Sequence, residues 1–119
     1  MSDVVSLHPY FRAHDAAGLA AFRDLLPRFV EKTRSEPACL FYDFTVNGDE
    51  IFCREAYRGA AGVQAHLANV GALLDEALTH SELIRLEVHG PAAELEKLKP
   101  GMEALCPSWF EYACGLGRP

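Results

Sequence analysis

Two hydrophobic periods take turns along the chain, and each change of period marks the edge of an expected element. VVSLHPYF (4–11) has strand spacing, with Pro9, which lacks an amide donor, predicting either a sheet edge or the strand's end. From 16 to 34 the apolar positions Leu19, Phe22, Leu25, Leu26, Phe29 and Val30 recur at helical spacing, so an amphipathic helix is expected, kinked or split by Pro27. CLFYDFTV (39–46), the turn signal Asn47-Gly48 and IFCREAYR (51–58) read as a β-hairpin. A second helix follows over about 60–78, with Val63, Leu67, Val70, Leu74 and Leu78 on one face. LIRLEVH (83–89) returns to strand spacing. Pro91 then opens a short helix, AAELEKLK (92–99), from its first position, Pro100-Gly101 closes it, and SWFEYAC (108–114) is a last strand.

The order β-α-β-β-α-β, with an added short C-terminal helix and strand, is an α+β, ferredoxin-like plan with both main helices on one face of a four-stranded antiparallel sheet. No solenoid-length repeat, low-complexity tract or linker divides residues 1–119, which predicts a single domain. Strand 39–46 carries Leu40, Tyr42, Phe44 and Val46 on one face and Cys39, Phe41, Asp43 and Thr45 on the other, so neither face is wholly polar. A chain of 119 residues has no spare layer for the second face. Packing that face against a second copy covers it, and a homodimer is expected.

Composition narrows the partners. With 50% hydrophobic and 24% charged residues the chain is of ordinary globular type, and its net charge of -6 repels phosphate backbones and anionic lipid, so neither nucleic acid nor a membrane is an expected partner. The N-terminal stretch lacks a basic region followed by an apolar one, and no run of about 18 apolar residues occurs, so a cytoplasmic protein is expected. The 4 cysteines have no C-x-x-C spacing, and Cys39 and Cys53 fall inside apolar runs, as reduced core thiols do. His8, His14, His66, His80 and His89 lie on different elements without H-x-x-x-H or H-E-x-x-H spacing, so no metal is expected. No glycine-rich phosphate loop follows the first strand, and neither Ser81 nor Ser108 has a G-x-S-x-G setting. Arg85, Glu87 and His89 alternate on the second face of their strand, where a polar dimer interface or a second cavity would use them.

AHLANVG (65–71) holds the one polar group on the apolar stripe of the second helix, His66. Asn47-Gly48-Asp49-Glu50 forms a four-residue loop, or Asn47-Gly48 alone forms the turn; both keep Tyr42 on one face with Cys53, Glu55 and Tyr57. The four-residue loop, which is preferred, sets Tyr42 across from Glu55 and Asp43 across from Arg54, an opposite-charge pair. The Tyr42 face is the more apolar one and belongs under the helices, where His66 also points. Tyr42, Glu55, Tyr57 and His66 would then line one cavity, with Asn69 one helical turn from His66 at its edge. Burial would lower the histidine pKa and Glu55 would raise it. The competing reading is structural: His66 as a core histidine satisfied by Glu55, and the tyrosines as core aromatics.

Pro37-Ala38-Cys39-Leu40-Phe41-Tyr42-Asp43, Ile51-Phe52-Cys53-Arg54-Glu55-Ala56-Tyr57 and Ala65-His66-Leu67, in this order and spacing within residues 4–89, resemble the antibiotic biosynthesis monooxygenase-like family of dimeric α/β barrels. Ala38 stands where the family pattern has glycine. The resemblance implies a ferredoxin-like protomer whose sheet packs on its partner's, with a ligand pocket between sheet and helices. It implies a cofactor-independent monooxygenase acting on a small aromatic or quinol-type substrate, whose anion itself reacts with oxygen. Carried over by position, His66, Tyr42, Glu55 and Tyr57 match the family's pocket-side motif, with His66 as base or hydrogen-bond anchor and Tyr42, Glu55 and Tyr57 binding the substrate; Asn69, at the cavity edge by its helical spacing, is expected to bind substrate as well. The catalytic tryptophan of the family's haem degraders has no counterpart, since Trp109 lies in the last strand, and haem degradation is disfavoured. The alternative is a non-enzymatic homodimeric binding or stress-response module of the same fold.

Overall fold

In the computed structural model, which describes residues 2–117, Pro9 stands in the middle of the sheet rather than at its edge. Strand β1 (Val4–Ala13) pairs antiparallel with β3 (Glu50–Arg58) on one side and with β4 (Ser81–Gly90) on the other. The β1–β3 register pairs Leu7 with Glu55 and Tyr10 with Phe52, stepping over His8 and Pro9, and the β1–β4 register shifts between Tyr10 and Phe11. A central strand thus tolerates proline because the ladder is interrupted where its donor is missing.

The full sheet order is β2-β3-β1-β4-β5, with β2 (Cys39–Asn47) at one edge and β5 (Ser108–Glu111), parallel to β4 of its own chain, at the other. The first four strands give the expected ferredoxin-like arrangement, and the fifth is the added C-terminal strand, shorter than 108–114. The hairpin register is the preferred one: Tyr42 opposes Glu55 and Asp43 opposes Arg54, with the exposed Asp43 and Arg54 charges 3.6 Å apart. Gly48 takes a φ of 60° in the turn, a left-handed value that suits glycine.

Three proline expectations change. Helix α1 (Ala16–Thr33), capped by the Asp15 carboxylate on the Gly18 amide at 2.7 Å, runs unbroken through Pro27. Pro27 is exposed, so water can take the carbonyl bond its ring denies, while buried Phe22, Leu25 and Phe29 hold the helix to the sheet on both sides. Pro91 caps α3 (Ala92–Met102) from outside the first turn instead of opening it from within, its carbonyl accepting from the Glu94 and Leu95 amides. That helix passes through Pro100-Gly101 because Leu95, Leu98 and Met102 form one buried stripe ending beyond the expected stop.

Helix α2 (Gly59–His80) buries Val63, His66, Val70, Leu73 and Ala77, while Leu67, Leu74 and Leu78 flank that line half-buried. His66 therefore lies on the central line of the stripe. The core has two parts under the helices: one around Val5, Tyr57, Val63, Val88 and Leu98, the other around Phe11, Phe22, Phe29, Ile51 and Val70. The site lies between them.

Candidate functional site

The β3 residues 53, 55 and 57 alternate inward, which puts the Cys53 thiol, the Glu55 carboxyl and the Tyr57 phenol under α2, where His66 meets them. His66 is 2% exposed and Glu55 4% exposed, so both ionisable groups are cut off from bulk water. His66 Nδ1 lies 3.0 and 3.1 Å from the two carboxylate oxygens of Glu36, and its Nε2 lies 3.5 Å from Glu55 Oε1. Of the two ring nitrogens only Nδ1 is in hydrogen-bond contact with a carboxylate, so in the neutral ring Nδ1–H donates to Glu36 and Nε2, farther from Glu55, keeps the lone pair. The Tyr57 hydroxyl donates to the same Glu55 Oε1 at 2.7 Å. The rings of Tyr42 and Tyr57 both pack against the imidazole, with centroids 5.0 and 4.9 Å away.

Electrostatics separate the two inner groups. Burial lowers the pKa of His66, opposed by its hydrogen bond to Glu36 and by the Glu36 charge. Burial raises Glu55 to about 7, although hydrogen bonds from Tyr57 and Cys53 oppose the shift. Near neutral pH the pocket thus holds an uncharged imidazole beside a carboxyl group that is only partly ionised, an acid and a base in one dry site. Burial first, and then the Glu55 charge, pushes the Tyr42 and Tyr57 phenols and the Cys53 thiol upward, so these stay protonated.

All four residues expected to meet do meet, but they divide between two layers. Tyr42, Glu55 and His66 line an apolar cavity of about 60 Å³ together with Phe22, Phe29 and Phe44. Tyr57 is wholly buried behind Glu55, and Asn69 is not at the cavity wall. Instead the Asn69 side-chain amide donates to Glu36 at 2.7 Å and to the Lys32 carbonyl at 2.9 Å. Asn69 reaches the site through Glu36, the residue that sequence reasoning missed. Glu36 lies in the short segment between α1 and β2, where no periodicity assigns a direction. Its only signal is its place just before the 37–43 stretch.

The second face of the sheet carries a separate polar group. His89 Nε2 is 2.9 Å from Glu87 Oε1, and Arg85 bonds the other oxygen of that carboxylate. The His89 ring stacks on Phe110 at 4.4 Å and stands edge-on to His8 at 4.8 Å. Among the described residues no three His, Cys, Asp or Glu side chains are placed to hold a metal ion, and no helix is long and apolar enough to cross a membrane.

No family model matches the chain, and no curated protein does. Solved structures do. MupZ from Pseudomonas fluorescens is 39% identical, with a TM-score of 0.93, over 100% of this chain and 92% of its own. Rv0793 from Mycobacterium tuberculosis is 23% identical with a TM-score of 0.65, over 74% of this chain and 94% of its own. An antibiotic biosynthesis monooxygenase is 22% identical with a TM-score of 0.60, over 71% of this chain and 92% of its own. The last two share the fold, whereas the identity to MupZ spans every element described above. The chain belongs to the same family as MupZ, with the fold of the antibiotic biosynthesis monooxygenases.

Proposed function

We propose that the protein is a small acid–base enzyme of the cofactor-independent monooxygenase type, acting on an electron-rich phenol or quinol beside His66. The observation that carries this is the setting of His66: Nδ1 tied to the Glu36 carboxylate, Nε2 directed at Glu55, and the ring at the wall of an apolar cavity. The fold shared with an antibiotic biosynthesis monooxygenase supports the reaction class. A hydroxyl or activated methylene of the substrate presented to Nε2 gives its proton to the imidazole, and Glu36 stabilises the imidazolium that forms. Glu55, partly protonated near neutrality, hydrogen-bonds the developing oxyanion. The substrate anion then reduces dioxygen. When a methylene becomes a carbonyl, one oxygen atom bonds to the carbon, the other leaves as water with the two methylene hydrogens, and all four electrons come from the substrate. The protein's contribution is orientation, a base and a dry enclosure.

The test is oxygen consumption with a panel of single-ring phenols, quinols and activated methylene compounds, without added metal. Wild type is expected to consume oxygen, His66→Ala to lose at least a hundredfold in rate, and Glu55→Gln to keep part of it. Equal rates for wild type and His66→Ala would remove the catalytic role.

One observation favours the non-enzymatic alternative. Both nitrogens of His66, the Glu55 carboxyl and the Glu36 carboxylate already have partners within the protein. In a binding module of this kind His66→Ala strands two buried carboxyl groups and costs roughly 3 kcal/mol, with no oxygen-dependent turnover in wild type.

A second copy of the chain is the proposed partner. The outer sheet face presents Tyr10, Phe41 and Phe52, each part-exposed, with Phe110 at its edge 42% exposed. Sheet-on-sheet packing of two such faces would bury aromatic surface that a monomer leaves in water.

A further inference from the structure

We propose that the molecule bound beside His66 carries a slim, unbranched apolar chain, and that Met102 and Leu105 set the length that fits. The inference rests on the reading of His66 and Glu55 as the reactive end of the cavity. Its walls come from four adjacent strands: Phe44 on β2, Glu55 on β3, Pro9 on β1 and Leu86 on β4, with Met102 and Leu105 beyond. Neighbouring strands are about 4.8 Å apart, so crossing from β2 to β4 takes roughly 14 Å. A volume of about 60 Å³ spread over that length makes a narrow channel. A compact cavity that admits benzene has about 150 Å³, so the channel leaves room for no more than a single ring at its His66 end, and a single file of methylenes matches the shape of the rest.

The residues at its far end suit a length-setting wall. Met102 is 3% exposed, ends the buried stripe of α3 and has an unbranched side chain that adapts to what it touches. Leu105 closes the short 3-10 turn Glu103–Leu105, is half-buried, and precedes Cys106, whose φ of 52° turns the chain away. Neither residue touches the acid–base group by any hydrogen bond. Their substitution therefore changes the space available and leaves the chemistry of His66 in place.

The test is calorimetric binding of 1-alkanols from butanol to dodecanol, and of 4-alkylphenols of matching tail length, to wild type, Leu105→Ala, Leu105→Phe and Met102→Ala. Wild-type affinity for both series is expected to rise roughly fourfold per methylene, the value for a buried CH2, and then to break at one chain length. Leu105→Ala and Met102→Ala move the break to longer chains, and Leu105→Phe moves it to shorter ones. Because Leu105 is half-buried, its two variants decide the matter if Met102→Ala does not fold. Affinity independent of chain length, a break at the same length in every variant, or tighter binding of a tricyclic anthrone than of octanol overturns the proposal. Length-dependent alkanol binding without any phenol oxidation keeps the chain-binding inference and discards the monooxygenase reading. His66→Ala should abolish a preference for phenols over alkanols without moving the break.

Discussion

His66 Nδ1 lies within 3.1 Å of both carboxylate oxygens of Glu36, a residue 30 positions earlier in the chain. The pair joins α2 to the segment between α1 and β2 and fixes which imidazole nitrogen faces the cavity. Glu36→Gln keeps the size of the side chain and removes its charge. The bond and charge of Glu36 raise the His66 pKa, so the variant is expected to lower that pKa further, and to lower turnover with it. An NMR titration of the His66 ring in both proteins checks this, and an unchanged midpoint would show that Glu36 does not tune the histidine.

Asn69 acts one step further out. Its amide bonds Glu36 and the Lys32 carbonyl, so Asn69→Ala releases the carboxylate without touching substrate. The expected loss is about 1 kcal/mol of stability together with a drop in kcat larger than any change in KM. Rescue by Asn69→Gln is not expected, because the longer side chain misplaces the same amide. A KM effect alone would return Asn69 to the substrate-binding role that the sequence pattern implies.

Stability should depend on pH through the two inner groups with opposite signs. Glu55 is raised from an ordinary carboxyl value to about 7, so the folded state binds more protons than the unfolded one between about 4.5 and 7, and stability falls as pH rises through that window. The total is roughly 3 kcal/mol. His66 is lowered, so its contribution runs the other way and is lost as pH falls below its ordinary value of 6.5. Melting temperatures of wild type and Glu55→Gln from pH 4.5 to 8 separate the two: the variant should lose the decline toward high pH and keep the decline toward low pH. Parallel curves would show that Glu55 is not the titrating group.

Tyr57→Phe removes the hydroxyl that donates to Glu55 and leaves the ring against His66. That hydrogen bond lowers the Glu55 pKa, so its loss should raise it further and shift any activity profile limited by Glu55 to higher pH. The cost in stability is about 1 kcal/mol. A profile that does not move would place the titrating acid elsewhere.

The hairpin register and the gathering of Tyr42, Glu55, Tyr57 and His66 were legible because they depend on period-two alternation, a turn of defined length and one polar residue on an apolar stripe. The fold followed from the same periods. Glu36 was not legible, since a residue in a non-repeating segment has no face, and only the tertiary path brings it to His66. The prolines misled for another reason. Rules for Pro27 and Pro100 describe the local backbone, whereas burial of the flanking apolar residues decides that each helix continues, and Pro9 stays in the middle of the sheet because the β1–β3 ladder steps over it. The division of the site into cavity wall and support depended on depth below the surface, which strand parity alone does not encode.

The outer sheet face provides the last test. Tyr10 and Phe52 meet there with ring centroids 4.7 Å apart, and the guanidinium of Arg54 lies 5.4 Å from the Phe41 ring centroid. If two such faces pack together, a carboxylate introduced at Phe52 is buried opposite aromatic carbon and pays no hydrogen-bonded compensation, a loss of several kcal/mol from an interface that one copy cannot replace. Phe52→Asp is therefore expected to be a folded monomer in sedimentation analysis where wild type is a dimer. Its melting temperature should no longer rise with protein concentration, because mass action links stability to assembly only while the dimer exists. The cavity lies on the opposite face of the sheet, so alkanol binding by the monomer should persist. A wild-type protein that sediments as a monomer at tens of micromolar would leave the aromatic face without its proposed partner.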